Sequence, residues 1–375
     1  MTEFDFLITA GDPSGDLHGA KLITALKRLN PTVKIAAVGG PLMREGANEF
    51  LDDLAGEGIV GFLEPLLKMP RLIRSALKIK NFLKEKKPKA LVCIDYYGFN
   101  RRLLGFAAEA NVPAYYYISP QVWASRPYRL KVLKRFVQKA FVIFPFEEKL
   151  YRDSGISCEF VGHPLLDIVP DPVFKKTLNE EFKVGILPGS RVSELSRHLP
   201  IFLKAFELFK RRFPRSRAFV FAARGLADSK YELPSDSSVE IVRESDYQVR
   251  SQLDIAICSS GTATLENALL GIPMAVAYRL SWPTYYLARA LIRVPYIAMV
   301  NILAGKEIVP ELIQNEAAPE PLSRALIGMV ENPERYLALK KELIGLRSLL
   351  GNPGVSERAA RALLSLISSK PEGVV

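Results

Sequence analysis

Four strand-to-helix turns carry the residues whose types and spacing suit chemistry. The first is ITAGDPSGDLHGA, residues 8–20. Gly11 and Gly15 allow a ligand close to the backbone, and Asp12, Ser14, Asp16 and His18 read as a polar floor for a sugar or phosphate. The alternative is a plain helix start capped by Ser14 or Asp16. The turn is neither G-x-G-x-x-G nor a P-loop, which weighs against a dinucleotide cofactor. The second is VCIDYYGFN, residues 92–100. Asp95 ends an apolar run, and aromatic residues and Asn100 follow. A carboxylate beside aromatic rings has the raised pKa that suits a general base; the alternative is a cap for a helix after Phe99.

The third turn is GILPGSRVSEL, residues 185–195. Backbone N–H groups of Gly189 and Ser190 at a helix N-terminus favour an anion, and Arg191 adds a planar fork suited to phosphate. The alternative pairs Arg191 with Glu194. The fourth is CSSGTATLENALLGIPMAV, residues 258–276. Ser260, Gly261 and Thr262 at a helix start form a natural diphosphate cradle. Glu266 is no capping-box acid, because position 263 is Ala rather than Ser or Thr. It lies one turn beyond Thr262 on the same face, about one ribose from a bound diphosphate, where it suits both ribose hydroxyls.

These turns need elements to hold them. Apolar strand-like runs at 5–10, 33–38, 90–95, 113–118, 139–144 and 158–162 alternate with helical patterns such as Asp16–Leu29, Pro70–Lys86 and Arg102–Ala110. After the Pro-rich HPLLDIVPDPVF the alternation restarts at 182–187, 218–223, 239–242, 253–258 and 273–278, and 320–368 reads as helix. Strand–helix alternation predicts an α/β fold with two Rossmann-like, doubly wound domains facing a cleft. The expected division is 1–165, then 182–350, then a C-terminal helix and tail over 351–375, with a hinge within 163–181. Ligands in such sheets bind at the carboxyl ends of the strands, where all four turns lie.

Composition narrows the class. Three well-separated cysteines exclude a disulfide framework and fit a reducing compartment. No signal peptide and no transmembrane run is evident, so a cytoplasmic location is expected. Net charge is +11, and residues 66–152 hold 19 Lys/Arg against 5 Asp/Glu. Within them, 66–87 carries 8 basic residues and one acidic, interleaved with Leu and Ile, and 122–139 carries 6 basic and none acidic. This pattern fits an anionic membrane surface; the alternative is solvated helices whose Lys and Arg stems cover core. A nucleic-acid partner is not expected, because no stacking platform or reading motif accompanies the charge. No Asp-x-Asp and no His–carboxylate cluster occurs, so neither a metal nor another cofactor is called for.

Taken in order, AGDPSGDLHGA, VGGPLMREG, IDYYGFN, ISPQVWASR, FPFEEKLY, FVGHPLLD, LPGSRVSEL, SSGTATLEN, AYRLS and VPYIAMVNILAGKEIVPELIQ resemble the lipid-A-disaccharide synthase family, from residue 10 to about 314. The family pattern has Glu where Asp12 stands, often Trp where Ser125 stands, and does not reserve position 18 for His. The resemblance implies a two-Rossmann glycosyltransferase fold of the GT-B type. It implies transfer, with inversion, from UDP-2,3-diacylglucosamine to the 6-hydroxyl of 2,3-diacylglucosamine 1-phosphate, giving a β-1,6 disaccharide and UDP. It further implies Asp95 as catalytic Asp, Arg191 as essential Arg, Asn301 as an active-site Asn, peripheral attachment to the inner membrane, and a homodimer made through exchanged C-terminal segments. The competing expectation is a UDP-sugar epimerase, or a transferase with a soluble acceptor, on the same scaffold.

Overall fold

The computed structural model describes residues 3–55, 69–125, 127–173, 181–223, 226–244, 246–292 and 294–368. The chain forms two compact units, Met1–Asp167 together with Leu350–Val375, and Ile168–Leu349.

The first unit is built on a parallel sheet of β1 (Phe6–Thr9), β2 (Ile35–Gly39), β3 (Glu49–Asp53), β4 (Ala90–Ile94), β5 (Ala114–Tyr117), β6 (Val137–Val142) and β7 (Cys158–Phe160). Their spatial order is β3-β2-β1-β4-β5-β6-β7. The interior strands β1, β2, β4 and β5 are buried along their whole length, as expected of a parallel sheet covered by helices on both faces. The second unit repeats the plan with β8 (Lys183–Leu187), β9 (Arg217–Phe221), β10 (Val239–Val242), β11 (Ile255–Cys258), β12 (Met274–Tyr278) and β13 (Glu311–Ile313), ordered β10-β9-β8-β11-β12-β13. In both sheets the winding reverses once, between β1 and β4 and between β8 and β11. Loops diverge at such a switch point and leave a crevice for ligands.

Two strands lie outside the sequence-derived alternation. β3 reads EFLDD, is half-buried throughout and sits at a sheet edge; β13 has three residues and is also an edge strand. Helix starts differ as well. Asp12, not Ser14 or Asp16, caps the helix Pro13–Leu29: its side chain accepts from the Gly15 N–H at 2.6 Å, and Pro13 takes the first helical position. Asp16 is buried and serves a different helix, Pro41–Gly46, accepting from the N–H groups of Gly40, Leu42 and Met43 at 2.8–3.1 Å. The helix Val355–Ser368 packs in the first unit, where Asp167 accepts from the N–H groups of Gly354, Val355 and Ser356 at its N-terminus.

Candidate functional site

In the first unit the turn after β1 and the turn after β4 leave adjacent strands, Thr9 lying beside Cys93. Asp95 and Tyr96 both take left-handed backbone, φ 41° and 39°. Past the end of β5, the β-branched Ile118 does so too, φ 56°, a conformation that strains such a residue. Strain of this kind persists only where surrounding structure holds it, and it clusters at functional sites. The holding groups are visible. Asn100, itself buried, donates from Nδ2 to the carbonyls of Ile94 (3.2 Å) and Asp95 (2.9 Å), and its Oδ1 accepts from Thr9 Oγ1 at 3.0 Å. The Tyr116 hydroxyl donates to the Asp95 carbonyl as well. Gly11 leaves room for the Tyr96 ring; a Cβ there would lie 2.0 Å from it. Tyr96, not Asp95, occupies the position before the helix Tyr97–Glu109, so Asp95 is no helix cap.

The Asp95 side chain is thus not spent on capping that helix. It is exposed at the mouth of a pocket of about 410 Å³ whose lining includes Tyr97, Ser119, Gln121 and Arg129. The side chain reaches solvent on one side, yet the crowding of protein around it pushes its pKa up to about 6. The Asp12 carboxylate adds to that push, and Arg129 opposes it. Behind the pocket, the buried Glu147 accepts from Trp123 Nε1 at 2.9 Å and from the N–H groups of Ile143 and Phe144. Ser14 is exposed and His18 is buried on the same helix. Asp12, Asp95 and Asn100 are therefore brought together, while Asp16 is drawn away to its own helix.

In the second unit the turns after β8 and β11 also leave adjacent strands, Leu187 beside Cys258. Gly189 has φ 118°, which favours glycine, and a Cβ there would meet the Glu194 carboxylate at 2.5 Å. Glu194 fills this turn. It accepts from the Ser190 N–H at 3.0 Å, the Arg191 N–H at 3.3 Å, Arg191 Nη1 at 3.0 Å and the Tyr278 hydroxyl at 3.0 Å. The turn thus draws a carboxylate from its own chain. His198 braces it from below: its Nδ1 lies 2.9 Å from the Pro188 carbonyl, and its Nε2 accepts from the Arg279 N–H at 3.0 Å. That arrangement fixes the neutral tautomer with the proton on Nδ1.

The helix Thr262–Leu269 begins at Gly261 with no side-chain cap, so its first N–H groups face the turn unpaired by any side chain. Ser260 Oγ donates to the Ile297 carbonyl at 2.7 Å. Leu265, Ala268 and Leu269 pack inward. Glu266 accepts from the Tyr247 hydroxyl at 2.8 Å and from Arg250 Nη1 at 2.7 Å. Arg250 is buried and fully engaged, donating also to Asn267 Oδ1 and the Ala263 carbonyl at 2.8 Å each. Asn301 is fully buried and clasps its own loop: Nδ2 donates to Val309 O and Glu311 Oε1, and Oδ1 accepts from the N–H groups of Ile308 and Val309. Glu311 in turn accepts from the N–H of Ile297, so Asn301 connects to Ser260 through the Ile297 segment. Tyr247, Arg250 and Glu311 carry no local sequence signal, because their side chains act on residues 10 or more positions away.

One switch point thus carries a carboxylate at a pocket mouth and the other a helix start without a side-chain cap. Residues 6–365 match the profile of the Lipid-A-disaccharide synthetase family. The chain belongs to the lipid-A-disaccharide synthase family. The lipid-A-disaccharide synthase of Syntrophus aciditrophicus is 37% identical over 372 residues, covering 96% of this chain and 97% of that protein. The same-named protein of Trichlorobacter lovleyi is 37% identical over 375 residues, with the same coverage. The protein is thus a glycosyltransferase, a hexosyltransferase of lipid A disaccharide synthesis. Among solved structures, a UDP-GlcNAc 2-epimerase from Neisseria meningitidis bound to UDP-GlcNAc aligns with a TM-score of 0.64 at 13% identity, over 96% of this chain and 99% of that one. The calicheamicin glycosyltransferase CalG4 aligns with a TM-score of 0.63 at 13% identity, over 98% and 100%. Identities this low establish the GT-B fold and leave the chemistry to the family, so the epimerase alternative is not favoured. Among the described residues, no helix is long and apolar enough to cross a membrane.

Proposed function

We propose that lipid-A-disaccharide synthesis by this chain runs as a single inverting displacement between UDP-2,3-diacylglucosamine and 2,3-diacylglucosamine 1-phosphate. Asp95 takes the proton of the acceptor 6-hydroxyl as that oxygen attacks the anomeric carbon. The bond from that carbon to the β-phosphate oxygen breaks, and UDP leaves with the electron pair. The charge arriving on UDP is met by the N–H groups that open the helix Thr262–Leu269, by the Gly189–Ser190 turn and by Arg191. The diphosphate takes the place of the Glu194 carboxylate on the Ser190 and Arg191 donors, and Glu266 turns from Tyr247 to the ribose hydroxyls. Asn301 acts at one remove, by holding the Ile297 carbonyl against Ser260.

The observation that carries this reading is the state of Asp95. Its carboxylate is uncommitted to any cap, its backbone is held strained by Asn100, Tyr116 and Gly11, and its pKa of about 6 suits a base at neutral pH. Analysis of products from the two acylated sugars tests it. A β-1,6 disaccharide 1-phosphate plus UDP is expected, with little turnover of deacylated UDP-glucosamine. Equal turnover of acylated and deacylated donors would contradict it.

Attachment to an anionic membrane surface belongs to the same proposal. On the helix Met69–Lys86, Ile79, Phe82 and Leu83 are core, while Ile73 (46% exposed) and Leu77 (53% exposed) stand out beside the exposed Arg74, Lys78 and Lys84. An apolar pair one turn apart, set among cations, suits the headgroup boundary. Residues 66–68 of the basic stretch lie outside the described residues. A homodimer through C-terminal segments remains a proposal from the family resemblance, tested by sedimentation.

A further inference from the structure

The pocket beside Asp95 holds a cation that no described carboxylate pairs. Arg129 begins the helix Arg129–Phe136 and lines the pocket. Its guanidinium lies over the Tyr97 ring, 4.4 Å from the centroid. Its Nε is buried with no hydrogen-bond partner, and among the described residues no carboxylate forms an ion pair with it. Asp95 is within electrostatic reach. Its charge is taken up only in part by the ring, since a cation–π contact is weaker than a salt bridge with matched hydrogen bonds. The lining carries a second unsatisfied group, the Tyr97 hydroxyl (residue 7% exposed), buried without a partner. Buried polar groups are nearly always paired, and two orphans in contact in the lining of one pocket point to a ligand rather than to packing.

We infer that Arg129 is the cation that receives the phosphomonoester of the acceptor sugar, making this pocket the acceptor-phosphate site and Arg129 a residue that selects phosphorylated acceptors. The inference rests on the proposed transfer reaction and adds to it where the acceptor's anion goes. A guanidinium offers the paired donors that a phosphate accepts in bidentate fashion. Bound there, the phosphate anchors the acceptor sugar in the pocket that Asp95 borders, so that recognition and deprotonation act on one molecule. It also explains why Arg129 has no acidic partner among the described residues, because a resident carboxylate would compete with the phosphate. The arrangement differs from that of Arg191, whose guanidinium the chain pairs with Glu194.

The test compares two acceptors, 2,3-diacylglucosamine 1-phosphate and the same sugar without its phosphate, on the full chain and on Arg129→Ala and Arg129→Lys. Measurement at about pH 8 keeps Asp95 ionised in all three proteins. Losing one charge-assisted contact lowers the ratio of kcat/KM for the phosphorylated over the unphosphorylated acceptor by on the order of 10–100-fold in Arg129→Ala. Arg129→Lys restores part of it. Turnover of the unphosphorylated sugar by each variant reports that the variant is folded. A ratio equal to that of the parent protein, or an equal fall for both acceptors, overturns the inference and makes Arg129 a support for Asp95 alone. A parent protein that glycosylates neither acceptor overturns the transfer reading itself.

Discussion

Asp95, the proposed base, sits at a strand end beside a pocket with its pKa raised to about 6. The cause of the shift dictates the pH dependence. Crowding and the Asp12 charge disfavour the ionised form, so the base is lost to protonation below about 6. The expected kcat/KM therefore rises with pH through about 6 and levels off above it; a flat profile from pH ~5 to ~8 would exclude Asp95 as the titrating base. At Glu266 the prediction has two parts. Glu266→Ala leaves the buried Arg250 without its carboxylate, which destabilises the fold. It also costs roughly 2–4 kcal/mol of UDP affinity if the carboxylate binds two ribose hydroxyls. Calorimetry with UDP and with its 2′,3′-dideoxy analogue separates the parts, because only the ribose contact depends on the hydroxyls. An equal loss for both ligands would remove Glu266 from the ribose.

Elements explain why some of this was legible in the sequence and some was not. The apolar runs and the Gly- and Ser-rich turns were readable because each is a local signal: a buried parallel strand must be continuously apolar, and a ligand-facing turn needs small residues. β3 and β13 were not, since an edge strand buries little and needs no apolar run. Caps also escaped. Asp12, Ser14 and Asp16 are all good cap types, and only the fold shows that Asp16 reaches across to Gly40 and Met43. Arg129 stood in a basic run whose members look alike in sequence; the Tyr97 ring and the pocket distinguish it. Gly11→Ala is expected to be poorly tolerated. The new Cβ would overlap the Tyr96 ring and push the strained Asp95–Tyr96 pair aside. A loss of about 1–3 kcal/mol in urea unfolding is expected, with a larger proportional loss of activity. A fully active Gly11→Ala protein would show that the Tyr96 position is not needed.

The molecule as a whole divides the labour between two switch points, one in each unit. The first carries the carboxylate proposed as base and a cation that no described carboxylate pairs, the second a helix start without a side-chain cap and a turn already holding a carboxylate. Charge follows the same division, because the basic excess of residues 66–152 belongs to the first unit. Part of it is spent internally: Lys80 pairs with Glu109 at 2.9 Å, and Lys78 lies 3.9 Å from Asp52. Arg74 and Lys84 are exposed. Neutralising Arg74, Lys78, Lys80 and Lys84 together is expected to weaken binding to anionic vesicles by up to about 1 kcal/mol per charge, with Arg74 and Lys84 contributing most. Turnover of detergent-dispersed substrate is expected to persist. Equal binding of the parent protein to neutral and anionic vesicles would contradict the attachment.

The division of labour is tested most directly by Asp95→Asn, with turnover and UDP affinity measured on the same protein. Asn tolerates left-handed backbone as Asp does, so the fold of the turn is kept while the base is removed. Transfer is expected to fall by on the order of 10²–10⁴ while UDP binds as it does to the parent protein. A well-folded Asp95→Asn enzyme with full turnover would contradict it.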